Sequence, residues 1–253
     1  FNVDGFFEST GSDFRSVDLN APVSGVRPDT TFGRVLLVQS IGRERRAGFN
    51  VDLNYSPRQG TFSSIRYGFS ANKNDADDEF TPPASGDFAT EWARTREPRH
   101  RLNWNLGVPI TRLGLFASLN GRWASGTYYN LTTGRDVNGD AIFNDRPADV
   151  ARNSLQAAYT TATDLRLSWT LPSMRANGIV NAQRWRGGGG DGPRGPGGRQ
   201  GDQRRFEVYL WTSNLFNRVN RSGYVGVQTS PLFMQATSAQ AARRVELGWR
   251  FSF

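Results

Sequence analysis

The chain contains no cysteine. That excludes a disulfide framework and any thiolate metal site. It contains no apolar run near the roughly 20 residues that a membrane-spanning helix needs. It does not open with Met, and no cationic-then-apolar leader stands at its start. It is therefore expected to be a processed or truncated piece of a longer protein. Histidine occurs once, at His100, and no Gly-x-Ser-x-Gly stretch accompanies it, so the nucleophile-elbow route to hydrolysis is missing. The net charge of +8 suits nucleic acid or anionic lipid as a partner. Much of that excess sits in loops and in one Gly/Arg-rich segment, so it says little about the regular elements.

What is present is period-two alternation. In 243–253 (RRVELGWRFSF), Val245, Leu247, Trp249, Phe251 and Phe253 fall on one side and Glu246, Gly248, Arg250 and Ser252 on the other. Strict alternation predicts a strand with one apolar and one polar face. An exposed aromatic edge of this kind invites aggregation in water, whereas in a membrane barrel the apolar face meets lipid. The pattern recurs. Phe49, Val51, Leu53 and Tyr55 alternate with Asn50, Asp52 and Asn54, and Ile65, Tyr67 and Phe69 with Arg66, Gly68 and Ser70. Leu102, Trp104, Leu106 and Val108 alternate with Arg101, Asn103, Asn105 and Gly107, and Leu165, Leu167, Trp169 and Leu171 with Asp164, Arg166, Ser168 and Thr170. Further strands are predicted over 33–41, 113–124 and 205–216, the last with an ambiguous register. Residues 42–46 read either as a tight turn or as a bulge within one continuous strand. Residues 1–31 read as an extended loop with one strand at most.

The count is seven or eight strands of the length that crosses a bilayer at a steep tilt. None of the outward positions named above carries a charge, which at mid-membrane would cost about 2–4 kcal/mol each. Counted back from an inner C-terminus, the short turns 56–60 and 109–112 fall inside. The long loops 74–97, 125–161 and 217–242 fall outside, as barrels require. Segment 172–204 breaks that rule, being a long inner connection. The expected fold is all-β, an antiparallel transmembrane β-barrel, although eight strands could also close on themselves.

Several segments carry family resemblances. Glu246-x-Gly248-x-x-Phe251-x-Phe253 resembles the C-terminal assembly signal of bacterial outer-membrane barrels, which implies recognition by the barrel assembly machinery. The loop 125–150 (SGTYYNLTTGRDVNGDAIFNDRPADV) resembles TonB-dependent receptors of the Oar-like group, whose members begin with a carboxypeptidase-regulatory-like domain. Asn20-Ala21-Pro22 with Arg27-Pro28-Asp29, Arg99-His100-Arg101-Leu102, and Ser213–Asn220 (SNLFNRVN) are similar to the same group. The resemblance implies a 22-stranded barrel in the outer membrane, of which 1–253 is the C-terminal third, with 172–204 as an insertion. It implies uptake of a large scarce nutrient, energised through a TonB complex that reaches an N-terminal part outside this stretch. Outer-membrane lipid and lipopolysaccharide are the expected surroundings, and no enzymatic activity is expected. A structural or adhesion barrel that transports nothing is the alternative.

Three features compete for chemistry. Asp136-x-Asn138-x-Asp140, with Asn144 and Asp145, places oxygen ligands at alternating positions suited to Ca²⁺. Ala141 and Pro147 depart from an EF-hand loop, and an Asx-turn loop without an ion reads the same residues. The Gly/Arg-rich stretch 187–201 resembles RGG-type nucleic-acid-binding segments but reads better as a solvated linker, so no nucleic acid is expected. The inward carboxylates Asp52, Asp164 and Glu246 are expected to pair with Arg66, Arg101, Arg166 and Arg250. No substrate-binding residue is legible.

Overall fold

Alternation is realised as a single antiparallel wall. The computed structural model describes residues 1–23, 25–171 and 205–252. Its strands are β1 (Asn2–Asp18), β2 (Leu36–Tyr55), β3 (Phe62–Asn74), β4 (Ala93–Arg94), β5 (His100–Ile110), β6 (Leu115–Ala124), β7 (Tyr128–Tyr129), β8 (Leu155–Gln156), β9 (Thr160–Thr170), β10 (Arg205–Ser213), β11 (Arg221–Tyr224), β12 (Ala236–Ala239) and β13 (Arg244–Ser252). The sheet runs β1-β2-β3-β5-β6-β9-β10-β13, with β4 added to the outer end of β3. The pairs β7–β8 and β11–β12 are small hairpins within the long loops. Among the described residues no helix is long and apolar enough to cross a membrane, which does not bear on strands. β1 and β13 end the sheet and do not pair with each other. The wall is thus an open arc, not the small closed barrel that eight strands could also have formed.

At the amino end one expectation is corrected and one open choice is decided, in favour of the continuous strand with a bulge. Residues 1–31 do not form a loop with a minor strand, because β1 is 17 residues long. Register shifts between Thr10, Asp13 and Phe14 interrupt its alternation, which is why its sequence looks aperiodic. Residues 42–46 lie within β2, whose 20 residues continue from Leu36 to Tyr55. Gly42 lies opposite Asp13, and a Cβ there would meet the Arg15 guanidinium at 2.6–2.9 Å. The bare backbone lets Arg15 cross to Asp75. At the other end of the chain, β10 stops at Ser213, before the expected 216.

Register fixes the faces. Leu247, Leu210, Leu167, Ala117 and Val108 form one cross-strand row. Trp249, Val208, Trp169, Leu115 and Ile110 form the next. The opposite face carries Arg66, Asn103 and Arg122 in a row, and Asn54, Ser64, Asn105, Asn120 and Asp164 in another. β5 and β9 have eleven residues, β6 ten, and β10 and β13 nine, the span of a tilted membrane strand. The turn Thr111–Gly114 closes β5–β6 with Gly114 at φ 65°, a conformation that favours glycine.

Burial is inverted relative to a water-soluble protein. Among the described residues the buried apolar ones are Ala76, Ala93, Tyr128 and Ala162. Buried polar and charged residues outnumber them and include Arg15, Asp75, Glu91, Asp145 and Arg152. Leu53, Ile65, Leu106 and Trp169 lie on strands with neighbours on both sides, yet each is exposed. Leu247 and Trp249, on the edge strand, are 76% and 71% exposed. A continuous apolar surface of this kind marks contact with hydrocarbon or a partner.

The register yields a direct test. Spin labels replacing Leu247 or Phe251 are expected to relax with lipid-soluble oxygen, and labels replacing Glu246 or Arg250 with aqueous nickel. A reversed pattern would mean a one-residue slip, which exchanges the faces of the whole strand.

Candidate functional site

The polar face and the loops at one end of the wall make up the site. Along the face, Asp52 accepts from Arg66 directly opposite, as the sequence suggests. Other pairings differ from expectation. Arg166 reaches Glu207 at 3.2 Å and stacks over Tyr209 at 4.3 Å. Arg101 reaches Glu97 at 3.5 Å, and Glu246 holds Arg244 at 3.0 Å. Asp164 caps the turn after β10 by accepting from the Asn214 amide at 2.8 Å. Aromatic side chains cover glycines across strand pairs: Phe6 over Gly48, Phe62 over Gly107 and Tyr209 over Gly248. A glycine leaves a gap on the pleat, and the neighbouring ring fills it.

The loops 75–99, 125–159 and 214–243 all leave the same end of the wall, and they interlock. Asp77 accepts from Arg152 and from Asn153 at 2.9 Å with one oxygen, and from Arg96 at 2.8 Å and Asn130 at 2.7 Å with the other. Glu91 takes Arg146 at 2.7 and 2.8 Å and the Ser85 hydroxyl at 2.9 Å. Arg152 also donates to the Asn74 carbonyl and side chain, both at 2.6 Å. Thr132 bridges to Val227, joining the third loop. A buried charge is tolerated only where it is paired and its other polar atoms are bonded, and this cluster largely meets that condition. Burial pushes the Asp77 carboxyl up, but Arg152, Asn153, Arg96 and Asn130 together hold it below the usual carboxylate range. Burial also lowers Arg152, against the charges of Asp77 and Glu91. A guanidinium starts so far above neutrality that it stays charged.

The motif segments do their work as polar staples. Asn20 is buried and donates to the carbonyls of Asp29, Phe32 and Gly33, while its oxygen accepts from the Asp29 amide. Asn214 adopts φ 49° and bonds both ways with Arg218 and onward to the Ala241 carbonyl. Asn220 clamps Thr161 through both its amide and its carbonyl. None of these asparagines, and none of Asp77, Glu91, Arg146, Arg152 or Asn153, was legible as a site residue. The sequence signal for Asn20, Arg146, Asn214 and Asn220 was their place in the motif segments; Asp77, Glu91, Arg152 and Asn153 carried none. His100 lies on the apolar face, 2.7 Å from the Tyr67 hydroxyl and packed beside Phe69.

The predicted calcium residues share one loop and bond mainly to its backbone amides. Asp136 accepts from the amides of Gly139, Asp140 and Ala141. Asn138 accepts from the Asp140 amide and Asp140 from the Ile142 amide. Asp145 accepts from the Val137 and Asn138 amides, and Asn144 donates to the Pro82 carbonyl. Among the described residues no group of three or more His, Cys, Asp or Glu is placed to hold a metal. Most of the oxygens that would bind an ion accept from backbone amides, which supplies the ion-free account of the loop, whereas Asn144 Oδ1 is buried without a hydrogen-bond partner among the described residues. Of the assembly-signal residues, Glu246 and Gly248 lie on the polar face and Phe251 lies opposite Phe206 on the apolar face. Phe253, like the segment 172–204, lies outside the described residues.

No protein-family model and no curated protein matches the sequence. Among solved structures, the chain is similar to the outer membrane transporter YddB from Escherichia coli, with a TM-score of 0.59 at 10% identity. The match covers 98% of this chain and 29% of that one. The chain therefore spans less than a third of the transporter's length, and its fold is that of an antiparallel outer-membrane barrel wall.

Two outcomes follow from this geometry. Asp77→Asn or Arg152→Met strands a buried charge, so either is expected to loosen the loop cluster by about 3–5 kcal/mol, read as faster proteolysis of 75–99. Because Asp77 titrates lower when folded, its contribution is complete above the unfolded carboxylate value and declines as pH falls through the folded one. Loop protection in the parent protein is thus expected to fade below about pH 4, and in Asp77→Asn that step is expected to be absent. Asp136→Ala is expected to expose 136–146 to protease equally with and without millimolar Ca²⁺. Protection restored by Ca²⁺ in the parent alone would favour an ion-bound loop.

Proposed function

We propose that the chain is one sector of an outer-membrane transporter barrel. The polar face lines the passage, and the interlocked loops form the outer mouth. The observation that carries this reading is the inverted burial, an apolar face left open on interior strands beside a charged, hydrogen-bonded interior. Likeness of fold to an outer-membrane transporter supports it. The finer reading, a TonB-energised receptor of the Oar-like group for a large scarce nutrient, rests on the motif segments around Asn20, Arg99, Ser125 and Ser213. In this reading the barrel assembly machinery recognises the Glu246–Phe253 signal, and TonB acts through the part of the protein outside this stretch. Lipopolysaccharide surrounds the outer rim. Arg45 and Lys73 pair across β2–β3, with the Arg45 guanidinium 5.8 Å from the Phe7 ring. They stand beyond the apolar band, where cations meet anionic headgroups.

The chain's lack of cysteine makes the test clean. Val137→Cys, in an exposed outer loop, is expected to react with a membrane-impermeant maleimide on intact cells. Arg58→Cys, in the turn between β2 and β3, is expected to react only after the outer membrane is opened. Labelling of Arg58→Cys in intact cells, or of neither after opening, would defeat the reading.

A further inference from the structure

The polar face carries one concentration of hydrogen-bond donors that the fold does not require. Arg66 on β3, Asn103 on β5 and Arg122 on β6 are consecutive cross-strand partners. Direct neighbours on one face have Cβ atoms roughly 5 Å apart, so the two guanidinium stems flank the Asn103 amide. Arg101 is two residues along β5 on the same face, opposite Gly68. Beside Arg66, Arg101 and Asn103 lies an open cavity of about 160 Å³, lined also by Phe6, Asn50 and Gly68; Arg122 stands one strand beyond Asn103 and is not part of the lining. Gly68 keeps the cavity floor low, since a Cβ there would meet Asn50 Oδ1 at 2.8 Å.

The acceptors nearby do not use up these donors. Asp52 takes Arg66. Glu97 meets Arg101 only at 3.5 Å and half exposed, and it also takes Asn72 at 2.9 Å. Asp4 stands opposite Asn50. Arg122 has no carboxylate within ion-pair distance among the described residues, and the Asn103 amide makes no hydrogen bond there. Guanidinium groups present planar forks that match carboxylate and phosphate oxygens in pairs. Phe6 supplies an apolar wall against which the rest of a small molecule can lie.

We propose that the cavity between Arg66, Arg101 and Asn103, with Arg122 reaching toward it from the adjoining strand, binds the oxyanion group of a small molecule, a carboxylate or a phosphate. The site deepens the transporter reading and rests on it, because only in a barrel does this face line a passage. Arg101 and Arg122 clasp the anion, Asn103 donates between them, and Arg66 is held in place by Asp52.

The test is calorimetric titration of the full-length protein, purified from outer membranes in detergent, with citrate and separately with inorganic phosphate. Binding of at least one is expected, weakened roughly tenfold or more in Arg122→Gln and in Arg101→Gln, a loss of about 1.4 kcal/mol or more. Asn103→Asp, nearly identical in shape, is expected to weaken it likewise by adding a competing carboxylate. Arg112→Gln, in the turn at the far end of β5, is expected to leave it unchanged. Citrate bound in preference to phosphate identifies a carboxylate ligand, and the reverse a phosphate. Binding of neither anion, or equal binding in all variants, would overturn the site. If the maleimide pattern at positions 137 and 58 holds in intact cells making the same protein, that failure belongs to the site alone. If it does not, the barrel reading fails with it.

Discussion

Antiparallel register is the constraint from which the other features of the wall follow. Each ladder pair fixes two side chains to one face, and the period of two carries that choice along the strand. Once Leu167 lies beside Leu210 and Ala117, Arg166 and Ser168 have no choice but the other face. The same ladder satisfies the backbone polar groups that hydrocarbon cannot. A slip by one residue would bring Arg166, Arg122 and Arg66 to the apolar side together. The penalty for such a slip is far larger than for any single substitution, and this is why the register is well specified even where one strand, such as β10, is partly apolar on both faces.

Beyond the outer ends of the strands that constraint lapses, and a different one takes over. Among the described residues the loops bury few apolar side chains, Ala76, Ala93 and Tyr128. They are held instead by charges that are buried because they are paired: Asp77 with Arg152, Glu91 with Arg146, Asp75 with Arg15. Such pairs contribute little net stability compared with apolar packing, but they penalise every alternative arrangement that separates them. In the proposed transporter reading, such pairing fixes the shape of the mouth before any ligand arrives. Arg15 links the two regimes, since it belongs to the wall strand β1 and reaches over Gly42 to a carboxylate in the first long loop.

What the sequence made legible divides along the same line. The faces of β3, β5, β6, β9 and β13 could be read because one physical requirement, an uncharged outward row, acts on every second residue. β1 could not, because its register shifts break the phase that the eye follows, and the apolar and polar residues then seem mixed. The loop cluster was opaque for a different reason. A salt bridge between Asp77 and Arg152 joins positions 75 residues apart, and nothing local in either segment specifies the other. The Asp136 loop could be read as a group of oxygen donors, but whether they face an ion or the backbone depends on φ and ψ, such as the left-handed Ala141 at φ 64°, which the side-chain pattern does not encode.

This division also indicates where selectivity can reside. Outward positions are tied to the membrane and inward glycines to the rings that cover them, so neither is free to vary with a ligand. The inward polar positions are bound by neither demand. Any hydrophilic side chain would satisfy a wet passage, and Ser, Asn and Thr do so along most of β5, β6 and β9. Arg is an expensive choice there, with a long side chain to order and a charge to neutralise. Where Arg66 faces Asp52 and Arg166 faces Glu207 the charge is balanced within the wall. Arg122 is not balanced in that way among the described residues. In the proposed site, a bound anion would balance this cation, which no carboxylate of the wall neutralises among the described residues.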